Sequence, residues 1–148
     1  MDKPVTRISV RNLVEFILRS GDLDSRKGTM DKEAMLKGSR LHRKIQKQMG
    51  SDYKAEVSLK FENCYEDLDI LLEGRADGIF SEGDMVWIDE IKGIYGKVEQ
   101  LLQPVPVHSA QAKCYGYIYA VQQGIEKIGI QMTYANLDTE EIKRFREV

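Results

Sequence analysis

The chain has almost no cysteine. Cys64 and Cys114 are the two it carries in 148 residues, too few and too isolated for a zinc or iron–sulfur site. In an intracellular protein such thiols stay reduced, and their ordinary place is as small buried hydrophobes. Long apolar runs are also absent: no stretch approaches the roughly 20 residues that span a bilayer, and Met1-Asp2-Lys3-Pro4 does not open a secretory signal. The expectation is a soluble, cytoplasmic protein without membrane contact. No low-complexity tract and no internal repeat is visible, which excludes a largely disordered chain. Nor is there a surplus of positive charge. The 22 Lys and Arg against 24 Asp and Glu leave a net charge of −2, which excludes a surface coated with phosphate-binding lysines while leaving room for a local basic groove.

What is present is an ordinary globular composition, 42% hydrophobic and 31% charged, in a length that suits a single domain over residues 1–148. The densest chemistry lies between Leu72 and Gly93. Leu72-Glu-Gly-Arg-Ala-Asp77-Gly-Ile-Phe80 reads as one strand, Ser81-Glu-Gly-Asp84 as a turn, and Val86-Trp-Ile-Asp-Glu90-Ile-Lys92 as a second strand, so the two most simply form a hairpin. Glu90 and Lys92 are two residues apart, which in an extended chain puts carboxylate and ammonium on one face about 7 Å apart. Asp77 and Glu90 supply hard oxygen ligands for Mg²⁺ or Mn²⁺, with the backbone carbonyl of Ile91 as a further donor. Lys92 can orient or deprotonate a water, or offset charge on a phosphoryl group. The plainer alternative is a surface hairpin with cross-strand ion pairs. Alternation puts Asp89 on the opposite face and makes it the weaker ligand. Glu73 and Arg75 share the face of Asp77, as support for the site or as a pair.

Around this hairpin, periodicity predicts a helix capped by Ser9 through Val10, Leu13, Val14, Ile17 and Leu18, ending at Gly21-Asp22, then a loop to Thr29. A second helix is predicted from about Met30 to Met49. Its apolar sector is Ala34, Gly38, Leu41, Ile45 and Met49, opposite Lys37, Arg40, Arg43, Lys44 and Lys47. That basic face is either solvated or in contact with phosphates. His42 falls on the core side, as a packed histidine or a nitrogen ligand. Strands are predicted at Tyr53–Phe61, from near Leu68, and at Ile128–Tyr134, with a long loop from Gly93 to Pro106. A third helix, about Val107 to Gln123, carries a packing stripe (Ala110, Cys114, Tyr117, Ile118, Val121) and a second face (His108, Gln111, Tyr115, Tyr119, Gln122). The charged segment Thr139–Val148 reads as a last helix. This order of elements implies an α/β chain, a mixed sheet with helices on its faces.

Four short segments, Gly38-Ser-Arg-Leu-His42, Gly74-Arg-Ala-Asp77-Gly78, Asp89-Glu90-Ile91-Lys92-Gly93, and Gln111 followed four residues later by Tyr115, together resemble the RecB-type branch of the PD-(D/E)XK nuclease superfamily. The proline that gives the superfamily its name is absent. The resemblance implies a restriction-endonuclease or lambda-exonuclease-like core, a central mixed sheet flanked by helices. It implies a Mg²⁺- or Mn²⁺-dependent deoxyribonuclease, an exonuclease by preference, that hydrolyses phosphodiesters with a metal-activated water in DNA repair. His42, Asp77, Glu90 and the Ile91 carbonyl would be metal ligands, Asp77, Glu90 and Lys92 the catalytic set, and Gln111 and Tyr115 substrate-side or site-organising groups. Relatives with an iron–sulfur cluster use four cysteines, so none is expected here. More loosely, Ile8 to Phe16 and Gly21-Asp-Leu-Asp24 resemble the opening of bacterial XPD-like helicases of the DEAD_2 class. That implies a module of a longer helicase–nuclease, with single-stranded or frayed DNA delivered by a motor in cis or in trans; no Walker motif is present. A non-catalytic DNA-binding or assembly domain, or a hydrolase acting on RNA, are the alternatives.

Overall fold

The structure, a computed structural model, describes residues 3–18 and 32–148. The predicted end of the first helix at Gly21-Asp22, the loop to Thr29 and the start of the second helix at Met30 lie outside the described residues. In chain order the elements are β1 (Val5–Ser9), α1 (Val10–Ile17), α2 (Lys32–Gln48), β2 (Lys54–Cys64), β3 (Asp69–Glu82), β4 (Met85–Ile94), a short 3₁₀ turn at Val98–Gln100, α3 (Pro106–Gln123), β5 (Gly129–Asn136) and β6 (Ile142–Glu147). Among the described residues six strands form one mixed sheet in which β1-β3-β4-β5-β6 are successive neighbours and β2 lies on the other edge of β3.

The sheet separates two helical layers, and strand alternation decides which residues meet which layer. Ile91 and Ala135 pack with Leu41 and Ile45 of α2. Ile88, Ile130, Met132 and Tyr134 point the other way, into a larger core with Val10 and Val14 of α1 and Ala112, Tyr115 and Ile118 of α3. All eight residues of β5 are buried, as befits a strand paired on both edges and covered on both faces. Each large aliphatic side chain so enclosed stabilises the fold by about 1.5–3 kcal/mol relative to an exposed one. Among the described residues no helix is long and apolar enough to cross a membrane.

One predicted element is corrected and one strand is added to those predicted. The segment read as a last helix is β6, antiparallel to β5 from Ile142↔Ala135 to Glu147↔Ile130. The side chain of Asn136 accepts the backbone N–H groups of Asp138 and Thr139, each at 2.8 Å, and Glu140 takes φ +64°, so the chain reverses instead of coiling. The residues before the first helix form β1, parallel to β3 from Val5↔Asp69 to Ser9↔Glu73. Ser9 is at once the last strand residue and the helix cap, accepting the Asn12 N–H at 3.1 Å. On α3 the buried residues are Gln111, Ala112, Tyr115, Gly116 and Ile118, whereas Tyr117 and Val121 of the predicted packing stripe are exposed. The helix stops where expected, at Gly124 in the left-handed conformation (φ +67°).

A candidate metal centre at a gap in the sheet

β3 is too long for a single partner on one edge. β2 runs along one side of it from Lys54↔Ile79 to Cys64↔Asp69. The other side is divided: residues 69–73 pair with β1, and residues 78–82 pair with β4, the last pair being Gly78↔Asp89. Between them, among the described residues, Gly74-Arg75-Ala76-Asp77 has no strand on that edge. Asp77 is thus the first residue past the point where β3 and β4 separate, and Glu90 is its counterpart on β4.

The gap admits side chains from both helical layers. From α2, His42 Nδ1 stands 3.6 Å from Asp77 Oδ1, and Gln46 Nε2 donates to the Asp77 carbonyl at 2.9 Å and to Glu56 Oε1 at 3.1 Å. Glu56, opposite Asp77 on β2, has φ +56°, a costly conformation for a non-glycine residue. Gln46 receives the carbonyl at this distorted position. Asp77 Oδ2 accepts the Ile91 N–H at 2.7 Å, and Glu90 Oε1 accepts the Asp77 N–H at 3.4 Å. Lys92 Nζ lies 3.5 Å from Glu90 Oε2 and donates to Gln111 Oε1 at 3.3 Å; Gln111 Nε2 in turn donates to the Tyr115 hydroxyl at 3.0 Å. The residues that the resemblance assigns to the site, His42, Asp77, Glu90, Ile91, Lys92, Gln111 and Tyr115, therefore meet in one continuous polar cluster. Tyr115 can reach it because Gly74 leaves room: a Cβ there would lie 2.6 Å from the Tyr115 ring.

The two carboxyls are driven apart electrostatically. Glu90 is 2% exposed, and burial followed by the neighbouring Asp77 charge pushes its pKa well up, against the pull of Lys92. For Asp77 burial also acts upward, but the His42 ring, the Ile91 N–H and Lys92 together outweigh it and hold the carboxyl low. One acid held low beside another pushed up is a pair that resists joint ionisation.

Asp89 lies on the opposite face, as alternation predicts, and is fully buried. It accepts from the Tyr53 hydroxyl at 2.7 Å, Thr133 Oγ1 at 2.6 Å and Gln131 Nε2 at 3.2 Å. Its pKa is raised because burial exceeds the help of those donors. Arg75 pairs with Glu56 at 2.9 Å, so the suggested Glu73–Arg75 pair does not form. On the basic face of α2, Lys37 pairs with Asp138 at 3.1 Å and Lys44 with Glu140. Gln46, Tyr53 and Arg11 were not singled out in the sequence. The available signal for Gln46 was its place one helical turn after His42.

A cluster of metal-ligating side chains lies elsewhere. Glu62, Cys64 and Asp69, at the other end of the β2–β3 pair, bring one donor atom each within 4.8 Å of one another. The donors of His42, Asp77 and Glu90 do not all approach that closely, being turned toward Ile91 N–H and Lys92. Eight residues of β3, about 26 Å at strand spacing, separate the two groups. Cys64 is exposed and Cys114 half-buried, so neither thiol is the fully buried hydrophobe expected of it. The Asp69 carboxyl beside Cys64 holds its thiol above the ordinary pKa.

No family model matches the chain, and no curated protein matches it. Among solved structures it is similar to the crystal structure of a protein named SSO0001, with a TM-score of 0.65 and 17% identity, over 99% of this chain and 68% of that one. The likeness is one of fold. It establishes that the sheet and its flanking helices are an arrangement found in another protein, and it leaves the chemistry to the residues.

Proposed function

We propose that the chain is a divalent-metal-dependent deoxyribonuclease domain of the RecB-type PD-(D/E)XK branch, with a restriction-endonuclease or lambda-exonuclease-like core. The observation that carries this reading is the gap between β1 and β4 on the edge of β3, where two carboxylates and a lysine converge with an imidazole and a glutamine–tyrosine pair. A hairpin that used these charges only for surface ion pairs would leave Glu90 exposed, yet it is buried.

Asp77, Glu90, His42 and the Ile91 carbonyl would hold a Mg²⁺ or Mn²⁺ ion; hard oxygens with one imidazole suit either and favour Mn²⁺ somewhat. When bound, the ion polarises a phosphoryl oxygen and lowers the pKa of a coordinated water. Glu90 Oε2 holds Lys92 in place, and Gln111 holds its ammonium from the other side. From there the Lys92 ammonium orients the attacking water and offsets charge on the pentavalent phosphorus. Gln111 and Tyr115 position the strand beside Lys92. The substrate in this reading is single-stranded or frayed DNA, presented by a helicase motor in cis or in trans, in repair.

The test is degradation of end-labelled single- and double-stranded DNA in Mn²⁺, Mg²⁺ or EDTA, beside Glu90→Ala. The expected result is cutting in either metal, none in EDTA, and a loss of at least about a hundredfold in the variant. A wild-type protein that binds DNA but is inert in both metals would leave the non-catalytic binding domain as the better description.

A further inference from the structure

A cavity of about 60 Å³ opens beside Lys92, between α1 and the start of α3, lined by Arg11, Val14, Glu15, Lys92, Val107, His108 and Gln111. That is room for roughly four or five waters, enough for the oxygens of one phosphate group and too little for a base. Resting on the nuclease reading above, we propose that this cavity is a subsite for a backbone phosphate of the DNA strand next to the one being cut, with Arg11 and His108 as its ligands.

The tautomer of His108 follows from its partners. The buried Tyr134 hydroxyl accepts the Val105 N–H at 2.9 Å, and among the described residues His108 Nδ1, 3.0 Å away, is the acceptor left for its own proton. An imidazole that accepts at Nδ1 carries its proton at Nε2, and that N–H is left as the ring's remaining donor. The ring is kept uncharged by burial and by the positive charges of Lys92 and Arg11 that face it, which lower its pKa to about 4. Arg11 spends its Nε on Glu15, at 3.3 Å. Among the described residues its two terminal NH₂ groups have no partner. Among the residues lining the cavity, two cations, Arg11 and Lys92, stand against one carboxylate, Glu15. A neutral donor, a guanidinium and the proposed catalytic ammonium thus surround one phosphate-sized space. Fixing the flanking phosphate there would set the register of the scissile one at Lys92.

The experiment measures binding of a short fluorescent single-stranded DNA by anisotropy in EDTA, at several salt concentrations, with cutting in Mn²⁺ measured separately. Arg11→Gln is expected to weaken binding about tenfold and to reduce the slope of log affinity against log salt by about 0.7, the value of one lost contact to a single strand. His108→Asn retains a polar atom near the Nδ1 position and loses the Nε2 donor. It is expected to weaken binding severalfold with the salt slope unchanged, because the lost donor is neutral. His108→Gln, whose amide reaches the Nε2 position, is expected to restore affinity to within about twofold. Cutting by the wild type with unaltered affinity and slope in Arg11→Gln and His108→Asn would overturn the subsite and leave the nuclease reading standing. The expected binding changes in a protein that never cuts would keep the subsite and overturn the nuclease. Absence of DNA binding by the wild type would overturn the subsite outright.

Discussion

Gly78→Ala is expected to destabilise the protein by about 3–5 kcal/mol, the sum of overpacking and of a buried polar group losing a partner. A Cβ at this position would lie 1.9 Å from Tyr53 Cζ and 2.0 Å from its hydroxyl oxygen. The sheet cannot give way, because Gly78 is paired with Ala55 on one side and Asp89 on the other. Tyr53 must move instead. It stacks on Phe80 at 5.9 Å between ring centres, and Phe80 on Trp87 at 6.5 Å. It also supplies one of three donors to the fully buried Asp89. Urea denaturation of a double-mutant cycle checks the mechanism: in a Tyr53→Ala background the same glycine change is expected to cost less than about 1 kcal/mol, since nothing remains to collide. Equal costs in both backgrounds would place the strain in the backbone.

Lys92→Met should separate chemistry from metal binding. The ammonium is set between Glu90 and Gln111 and lies outside the proposed ligand set. Single-turnover cleavage in Mn²⁺ is expected to fall by about 10²–10⁴, the range for losing a positioned general acid or base, while Mn²⁺ affinity changes by less than about threefold. A parallel loss of affinity would mean that Lys92 organises the carboxylates and takes no part in the reaction.

The sequence made the hairpin and its chemical groups legible because their signals are local. Two apolar runs around Glu82-Gly83-Asp84 specify the turn, and a period of two separates Glu90 and Lys92 from Asp89. Helical periodicity put His42 on the core side of α2. Strand β6 was not legible for the opposite reason. Ile142 and Phe145 are three apart, a spacing that suits a helix, and the charges at Lys143, Arg144 and Arg146 that blunt an edge strand also resemble a solvated helix face. Its strand state comes from pairing with β5 and from the Asn136 turn. Strand β1 was hidden because its role is topological: five residues take the edge of β3 that β4 has left. The gap at residues 74–77 follows from that division, so it could not be seen in any one segment. The outward position of Tyr117 and Val121 was misread because α3 packs small residues, Ala112 and Gly116, against the sheet. A Cβ at Gly116 would lie 2.8 Å from Ile130 Cδ1.

The metal centre proposed for the gap beside Asp77 has a rival in the clustered donors of Glu62, Cys64 and Asp69. Calorimetric titration of Mn²⁺ into the wild type, Asp77→Asn and Glu62→Gln separates them directly. If the gap is the metal centre, Asp77→Asn weakens binding by about a hundredfold or more and Glu62→Gln leaves it within about twofold. Binding that survives in Asp77→Asn and disappears in Glu62→Gln would contradict the metal centre proposed for the gap.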